Sequence, residues 1–542
     1  MLALVAGATA ARAGEAPPTA RAPPEVPSIA ALEARHATIG RIDVYLENIF
    51  NPHDPRENHG LYRLANQLHL KTRERTVRAQ LLFRSGEPLS AERLAETERI
   101  LRSRVYLVEA WAVPVAYDPA TNVADVAVTV RDVWTFDPEV NFGRSGGTNQ
   151  SSVGLQEQNL LGLGTSLEVK HAETVDRESR ILSYSDNNLL GSWWQLGLNY
   201  QDNSDGALKA GSLVLPFYSL DTKSAGGGTG SENRSVVARY SGGQIRDQFQ
   251  EIESQGQLYV GGSQGLVDGW AERWFAGVRY DDQQYRALPA VPLAAPLPSD
   301  QTFAYPWAGW QLLEDRYVKT ENLDLIGRTE DQYLGRSLYA ELGLSAPAFG
   351  GTARAWLTQL TAQEGWAEDD RRYLFVTGAL AGRVEDGEVR NLTVTAGTRY
   401  FERLTDRQLL YASFTGTTSS HLDGENQVLL GGDTGLRGYP IRFQGGTSSA
   451  LLTLEHRLYT DWYPFRLLRV GTDVFFDAGR TWGRDFAGAT PLGLLRDGGF
   501  GLRFGNNRSG LGNVVHVDFS YAFDAPAGIR RVQISASTSQ RF

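Results

Sequence analysis

The sequence predicts a β protein with a small α+β domain: an antiparallel transmembrane β-barrel with the α+β domain in front of it. Two patterns carry this prediction. From about residue 138 to the end, segments of about ten residues alternate apolar with polar side chains and are separated by Gly, Asn, Asp and Ser clusters. From about 39 to 134, helix and strand periods are mixed. Composition agrees: 58 glycines, 10% aromatic and 41% hydrophobic residues suit a chain that hides its apolar face in every second position. No run of about 18 apolar residues follows the first dozen positions, which argues against helical membrane spans and says nothing against strands. A net charge of -10 argues against nucleic acid as the main partner. With no cysteine, the chain has no disulfides, thiol catalysis or thiolate metal sites.

The elements follow in order. Residues 1–13, an apolar run ending in the small-residue pattern Ala11-Arg12-Ala13, read as a signal peptide, although the usual positive start is missing. Residues 14–38 are proline-rich and read as a linker. In 39–134, Ile42, Val44 and Leu46 alternate as a short strand, and Leu61, Leu64 and Leu68 fall at helical spacing. Ser90 is a candidate N-cap for a second helix with Leu94, Leu101 and Val105 on one face. Trp111, Val113 and Val115, the turn DPATN, then Val126, Val128 and Val130 make a hairpin. Helices on one face of a small sheet form an independent module.

Beyond 138, Trp194, Leu196, Leu198 and Tyr200 share a face against Gln195, Gly197 and Asn199. Near the end, Val515, Val517, Phe519, Tyr521 and Phe523 oppose His516, Asp518 and Ser520, and Phe500, Leu502 and Phe504 oppose Arg503. A soluble sandwich would share this period. Three features favour a membrane barrel: segments that match a crossing of about 9–11 residues, aromatics at the segment ends, and a final aromatic, Phe542, within the last strand. In lipid only a closed barrel satisfies every backbone group. After residue 446 five strands are expected, near 447–459, 467–479, 494–505, 512–524 and 529–541; before 416 the candidate segments outnumber those that can be paired.

The loop before those strands contains GGDTGLRGYP, residues 431–440, a glycine-rich turn with one fixed charge, Arg437. With Leu452, Leu454 and Leu458 facing lipid, Glu455 and Arg457 face inward; with Val470, Val474 and Phe476 outward, Asp473 and Asp477 face inward. This arrangement resembles the outer-membrane superfamily that contains BamA, TamA and the two-partner-secretion transporters, the bacterial surface antigen type. Residues 39–134 look like a single POTRA domain, residues 151–164 (SSVGLQEQNLLGLG) like the family's early barrel strand and turn, and GGDTGLRGYP like the signature of its long sixth extracellular loop. Leu436 replaces the family's β-branched residue.

The resemblance implies a sixteen-strand barrel over 138–542 in the bacterial outer membrane, with the N-terminal domain in the periplasm. It implies that the loop folds into the lumen, so that Arg437, Gly438 and Tyr439 form a latch with Glu455 and Asp477. The charge chemistry fits, because an arginine between two carboxylates can form bidentate hydrogen bonds as well as ion pairs. Phe542 would be the signal read by the outer-membrane assembly machinery during the chain's own biogenesis. The implied function is outer-membrane protein assembly or polypeptide translocation: the POTRA-like domain captures client polypeptides by β-augmentation, and the barrel inserts or conducts them. The alternative is a passive channel or structural surface antigen.

Enzymatic readings are weak, and no catalytic residue, cofactor or metal is expected. Ser263 lies in a G-x-S-x-G match without the strand-to-helix turn that a nucleophile elbow requires. His53, Asp54, Glu57 and His59 cluster in a proline-rich turn whose spacing fits no standard metal set.

Overall fold

The computed structural model describes residues 17–289, 291–510 and 514–539. The expected signal peptide and Phe542 lie outside the described residues.

The N-terminal unit is a three-stranded sheet with helices on one face. Its strands are β1 (Thr38–Glu47), β2 (Leu107–Asp118) and β3 (Val123–Asp132), in the order β1-β3-β2. β1 runs parallel to β3 and β2 antiparallel to it. The helices are α1 (Ile29–Ala34), α2 (Gly60–Leu68), α3 (Glu74–Arg78) and α4 (Ala91–Arg102). Ser90 caps α4, its hydroxyl accepting the Arg93 amide at 3.4 Å. Leu94 and Leu101, two turns apart, are buried with Leu32 of α1, Val77 of α3 and the inner-face Val126, Val128 and Val130. α4 ends at Arg102, so Val105 lies beyond it and is exposed. α2 contributes no buried residue.

The rest of the chain forms a closed antiparallel barrel. Its strands before the long loop are β4 (Phe136–Ser145), β5 (Thr148–Glu157), β6 (Thr165–Glu173), β7 (Glu178–Asp186), β8 (Gln195–Asn203), β9 (Gly206–Leu215), β10 (Ser224–Ser241), β11 (Gln244–Val267), β12 (Trp270–Ala287) and β13 (Gln301–Glu314). A hairpin, β14 (Tyr317–Glu321) and β15 (Thr329–Tyr333), leaves the wall before β16 (Ser337–Ser345), β17 (Ala355–Glu368), β18 (Arg372–Glu385), β19 (Glu388–Thr405) and β20 (Gln408–Ser420). The long loop carries a small two-stranded sheet, β21 (Val428–Leu430) with β22 (Gln444–Gly446). Then come β23 (Ser448–Tyr459), β24 (Leu468–Trp482), β25 (Leu495–Asn506), β26 (Val514–Ala522) and β27 (Val532–Ser539).

Twenty strands close the barrel among the described residues, not the sixteen implied by the resemblance. Five follow the loop and fifteen precede it. The four extra strands therefore all lie before the loop, where alternation alone could not decide which segments pair. The loop is the eighth connection on its side, not the sixth. Strand number is set by register and closure around the whole ring, and a loop motif carries neither. Two-residue turns at Gly146-Gly147, Gly242-Gly243, Asp268-Gly269 and Asp386-Gly387 have positive φ at both positions, the geometry that matches strand twist in tight hairpins.

The outer face is apolar: Val140, Phe142, Leu258, Val260, Val474 and Phe500 are all exposed. The inner face carries the charges. This is the architecture of an outer-membrane β-barrel preceded by a small α+β domain. Among the described residues no helix is long and apolar enough to cross a membrane. Leu94→Ala should destabilise the α+β domain by about 2–5 kcal/mol. Pulse proteolysis of the intact protein would show this, while the unheated barrel's gel migration stays unchanged.

Candidate functional site

The loop 431–446 enters the lumen and is anchored by its own apolar residues. Leu436, Tyr439 and Phe443 pack with Leu430, Leu495 and Ala522. The Arg437 guanidinium donates to both oxygens of Asp477, Nε at 2.8 Å and Nη2 at 3.0 Å. Its Nη1 lies 3.0 Å from Glu455 and 3.5 Å from Asp518. The guanidinium also stacks 3.5 Å from the ring centroid of Phe475. Gly438 is required by closeness: a Cβ there would meet the Asp497 Cβ at 2.6 Å. The Tyr439 hydroxyl donates to the Arg496 carbonyl at 2.9 Å. Thus the structure gathers Arg437, Gly438, Tyr439, Glu455 and Asp477 at one place.

Sequence reasoning put the residues of a wider cluster on the polar face but did not join them to the Arg437 site. Arg457 donates to Glu455 at 2.8 Å. Arg503 bonds Asp518 at 2.5 Å and pairs with Asp473. All of these side chains are buried. The alternation that places Glu455 and Asp477 inward also places Arg457, Asp473, Arg503 and Asp518 inward, and that was the available signal.

From the opposite end, the β14–β15 hairpin enters the lumen. Its tip residue Leu323 is buried against Phe401, Leu409 and Tyr411 of the wall. Asp324 accepts from Arg399 at 2.8 Å, and the Leu323 carbonyl accepts from Arg457 at 2.9 Å. Glu455 and Arg457 are two residues apart on β23, so one stretch of strand holds the loop from one side and the hairpin from the other.

The hairpin is held along its length by the α+β domain. Arg102 of α4 makes a bidentate pair with Asp331 at 2.7 and 2.8 Å. Lys319 bonds Glu98 at 2.5 Å, Thr329 donates to Glu109 at 2.8 Å, and Arg328 donates to the Leu107 carbonyl at 2.9 Å. The domain also touches other sectors of the rim. Arg93 pairs with Asp221 at 3.0 Å, Glu57 with Arg508 at 2.5 Å, and the Arg73 amide donates to the Gly162 carbonyl at 2.9 Å. It therefore lies across the barrel mouth on that side. Near the last contact, His69 Nε2 sits 3.0 Å from Asp132. Burial pushes the Asp132 carboxyl up to about 6 and the His69 imidazole down to about 4. At neutral pH this is therefore a neutral ring against a carboxylate, not an ion pair.

The barrel's ends meet at a weak seam. Neighbouring strands share seven to eighteen registered pairs elsewhere, for example seven between β13 and β16 and eight between β26 and β27. Among the described residues β27 and β4 share one, Ala536 with Arg144. The loop spans this gap. On the β4 side, Ser145 donates to the Gly432 carbonyl at 2.7 Å, and Arg442 makes two 2.7 Å bonds to Asp176 in the β6–β7 turn. Gly146, at φ 52°, lets the loop pass where a Cβ would lie 2.2 Å from the Ile441 nitrogen. On the other side the loop holds β24 through Asp477 and β26 through Ser520, whose hydroxyl donates to the Arg437 carbonyl at 2.9 Å.

Two cavities flank the cluster. One, of about 720 Å³, opens along the seam between Asn141, Arg144, Arg437, Asp518 and Ser537. The other, of about 760 Å³, lies between α4, the hairpin and the wall. Tyr411 and Ser413 line both.

Ser263 sits within β11 and donates to the Glu272 carbonyl at 2.6 Å. Glu57 is held by Arg508 and Arg466, and Asp54 by Arg56. Among the described residues no group of three or more His, Asp or Glu could hold a metal ion.

No family model matches the sequence, and no curated protein does. Solved structures similar to this chain include CdiB from Escherichia coli, with 12% identity and a TM-score of 0.46 over 92% of this chain and 76% of that one. CdiB from Acinetobacter baumannii has 13% identity and a TM-score of 0.42 over 92% of this chain and 73% of that one. BamA from Haemophilus ducreyi lacking POTRA domains 1–3 has 12% identity and a TM-score of 0.37 over 92% and 85%. Identities of this size transfer no residue role.

Arg437→Ala leaves Asp477, Glu455 and Asp518 without their shared cation. Breaking one partner of a buried pair costs about 3–5 kcal/mol, so the unheated barrel should unfold at lower temperature on gels. Arg437→Lys should recover only part of the loss, because an ammonium cannot span both Asp477 oxygens.

Proposed function

We propose that this chain acts in outer-membrane protein assembly or polypeptide translocation, with the α+β domain serving as a periplasmic, POTRA-like receptor for client chains. In this reading the client passes from the domain into the lumen and leaves through the seam between β27 and β4. The observation that carries the proposal is that seam, where among the described residues one registered pair stands beside ladders of seven or more. Arg437, with Glu455 and Asp477, acts as a latch: it keeps the loop across the seam until a client displaces it.

The two cavities that share Tyr411 and Ser413 support a route from α4 to the seam. The occupied lumen weighs against a passive open channel, since the loop fills it from one end and the hairpin from the other. The domain's sheet edge needs one refinement. The first half of β2 is already engaged: the Ala110 carbonyl accepts from Arg102 at 2.8 Å and the Ala112 amide donates to Glu98 at 2.9 Å. Strand addition by a client therefore belongs to Val113–Asp118.

The chain has no cysteine, so Arg144→Cys with Ala536→Cys gives a clean lock across the seam. A photo-crosslinker at Val115 or Ala116 should capture secreted or barrel-forming precursors in cells. Oxidising the lock should make these accumulate on the domain, and reduction should release them. If no polypeptide is captured and the locked protein behaves as the unlocked one, the chain is a passive channel or a structural surface antigen.

A further inference from the structure

Helix α2 departs from the usual arrangement of a helix on a small domain. Leu61, Leu64 and Leu68 are 69%, 49% and 64% exposed, and Leu70 just beyond the helix is exposed as well. These leucines share one arc of the helix. The arc holding Tyr62, Asn66 and His69 faces the protein. Tyr62 stacks on Phe50 at 4.5 Å, and Asn66 bonds the Phe50 backbone in both directions at 2.8 and 3.1 Å. The leucine stripe is thus turned away from the domain's own core.

Three observations identify what covers it. First, α2 hangs from the barrel rim: the Tyr62 hydroxyl donates to the Phe465 carbonyl at 3.0 Å. That turn joins β23 to β24 and exposes Trp462 and Phe465 by 64% and 74%, aromatics placed as an interfacial belt is. The helix that carries the stripe is therefore fastened to the barrel rim at its exposed aromatics. Second, the segment from Asn58 to Arg73 carries Arg63, Lys71 and Arg73 and no carboxylate, in a chain of net charge -10. All three cations are exposed. Third, the segment is pinned at both ends, at Phe465 and, through Thr72 and Arg73, at the β5–β6 turn. These anchors lie on opposite sides of the β27–β4 seam, so α2 runs beside the seam's mouth.

We propose that α2 is an in-plane membrane-surface helix that binds the anionic phospholipid leaflet on the domain's side of the barrel. The leucines enter the headgroup boundary while the cations meet lipid phosphates. This depends on the barrel lying in a bilayer and not on transport, so it can fail or stand independently of the proposed function.

The test uses the full chain in vesicles of phosphatidylethanolamine with phosphatidylglycerol. A single fluorophore is attached at Leu64→Cys, Leu68→Cys or, on the polar arc, Gln67→Cys. At 64 and 68, quenching by aqueous acrylamide should be several-fold weaker than at 67, and doxyl-labelled lipid should quench strongly. Adding Arg63→Glu and Lys71→Glu should abolish that protection at 64. Equal acrylamide quenching at all three positions overturns the proposal. So does protection at 64 and 68 without doxyl quenching, which means that protein covers the stripe. Protection that survives both charge reversals overturns the assignment to anionic lipid.

Discussion

The buried guanidinium–carboxylate cluster on β23–β26 is the constraint on which the rest of the structure depends. Three arginines and at least four carboxylates leave water there, and such a transfer is stabilising only when geometry and hydrogen bonding are nearly complete. The wall alone cannot complete it. Arg437 arrives on the loop to serve Asp477, Glu455 and Asp518, and the hairpin tip supplies a carbonyl to Arg457. A ring of this circumference is too wide for wall side chains to fill. The inward charges and the two inserted segments therefore require each other, and β23 is where their requirements meet.

How much of this could be read from the sequence differs by kind of feature. Period-2 alternation decides which face a residue occupies, so the inward placement of Glu455, Asp477 and their neighbours was legible. Alternation does not decide which strand pairs with which, and so the ring came out four strands larger than expected. The spacing of Leu61, Leu64 and Leu68 was likewise legible as a helix. Its orientation was not, because the polar contacts that turn it (Tyr62 to Phe465, Asn66 to Phe50) are tertiary. The hairpin β14–β15 left no local signal of its destination: a short two-stranded ribbon reads the same whether it projects into solvent or into a lumen.

Ring closure is divided between two kinds of interaction. Nineteen junctions are backbone ladders, cooperative and indifferent to side-chain identity. The twentieth, between β27 and β4, has one registered pair among the described residues and is spanned by side chains of a loop rooted a quarter of the way round. Its strength is therefore set by a handful of residues, such as Arg437, Arg442 and Ser520, and can change without unfolding any strand.

That division also orders the way the molecule is built. Ladders form between neighbours in sequence, but Ser145 must find Gly432 across 287 residues and Arg442 must find Asp176 across 266. Contacts of such separation require loop-closure entropy to be overcome before they return anything. The hairpin of β4 and β5, made early, must wait with an unsatisfied edge for a segment made late. Fastening the ring therefore ties an early segment to a late one, and the seam cannot be bridged until both are present.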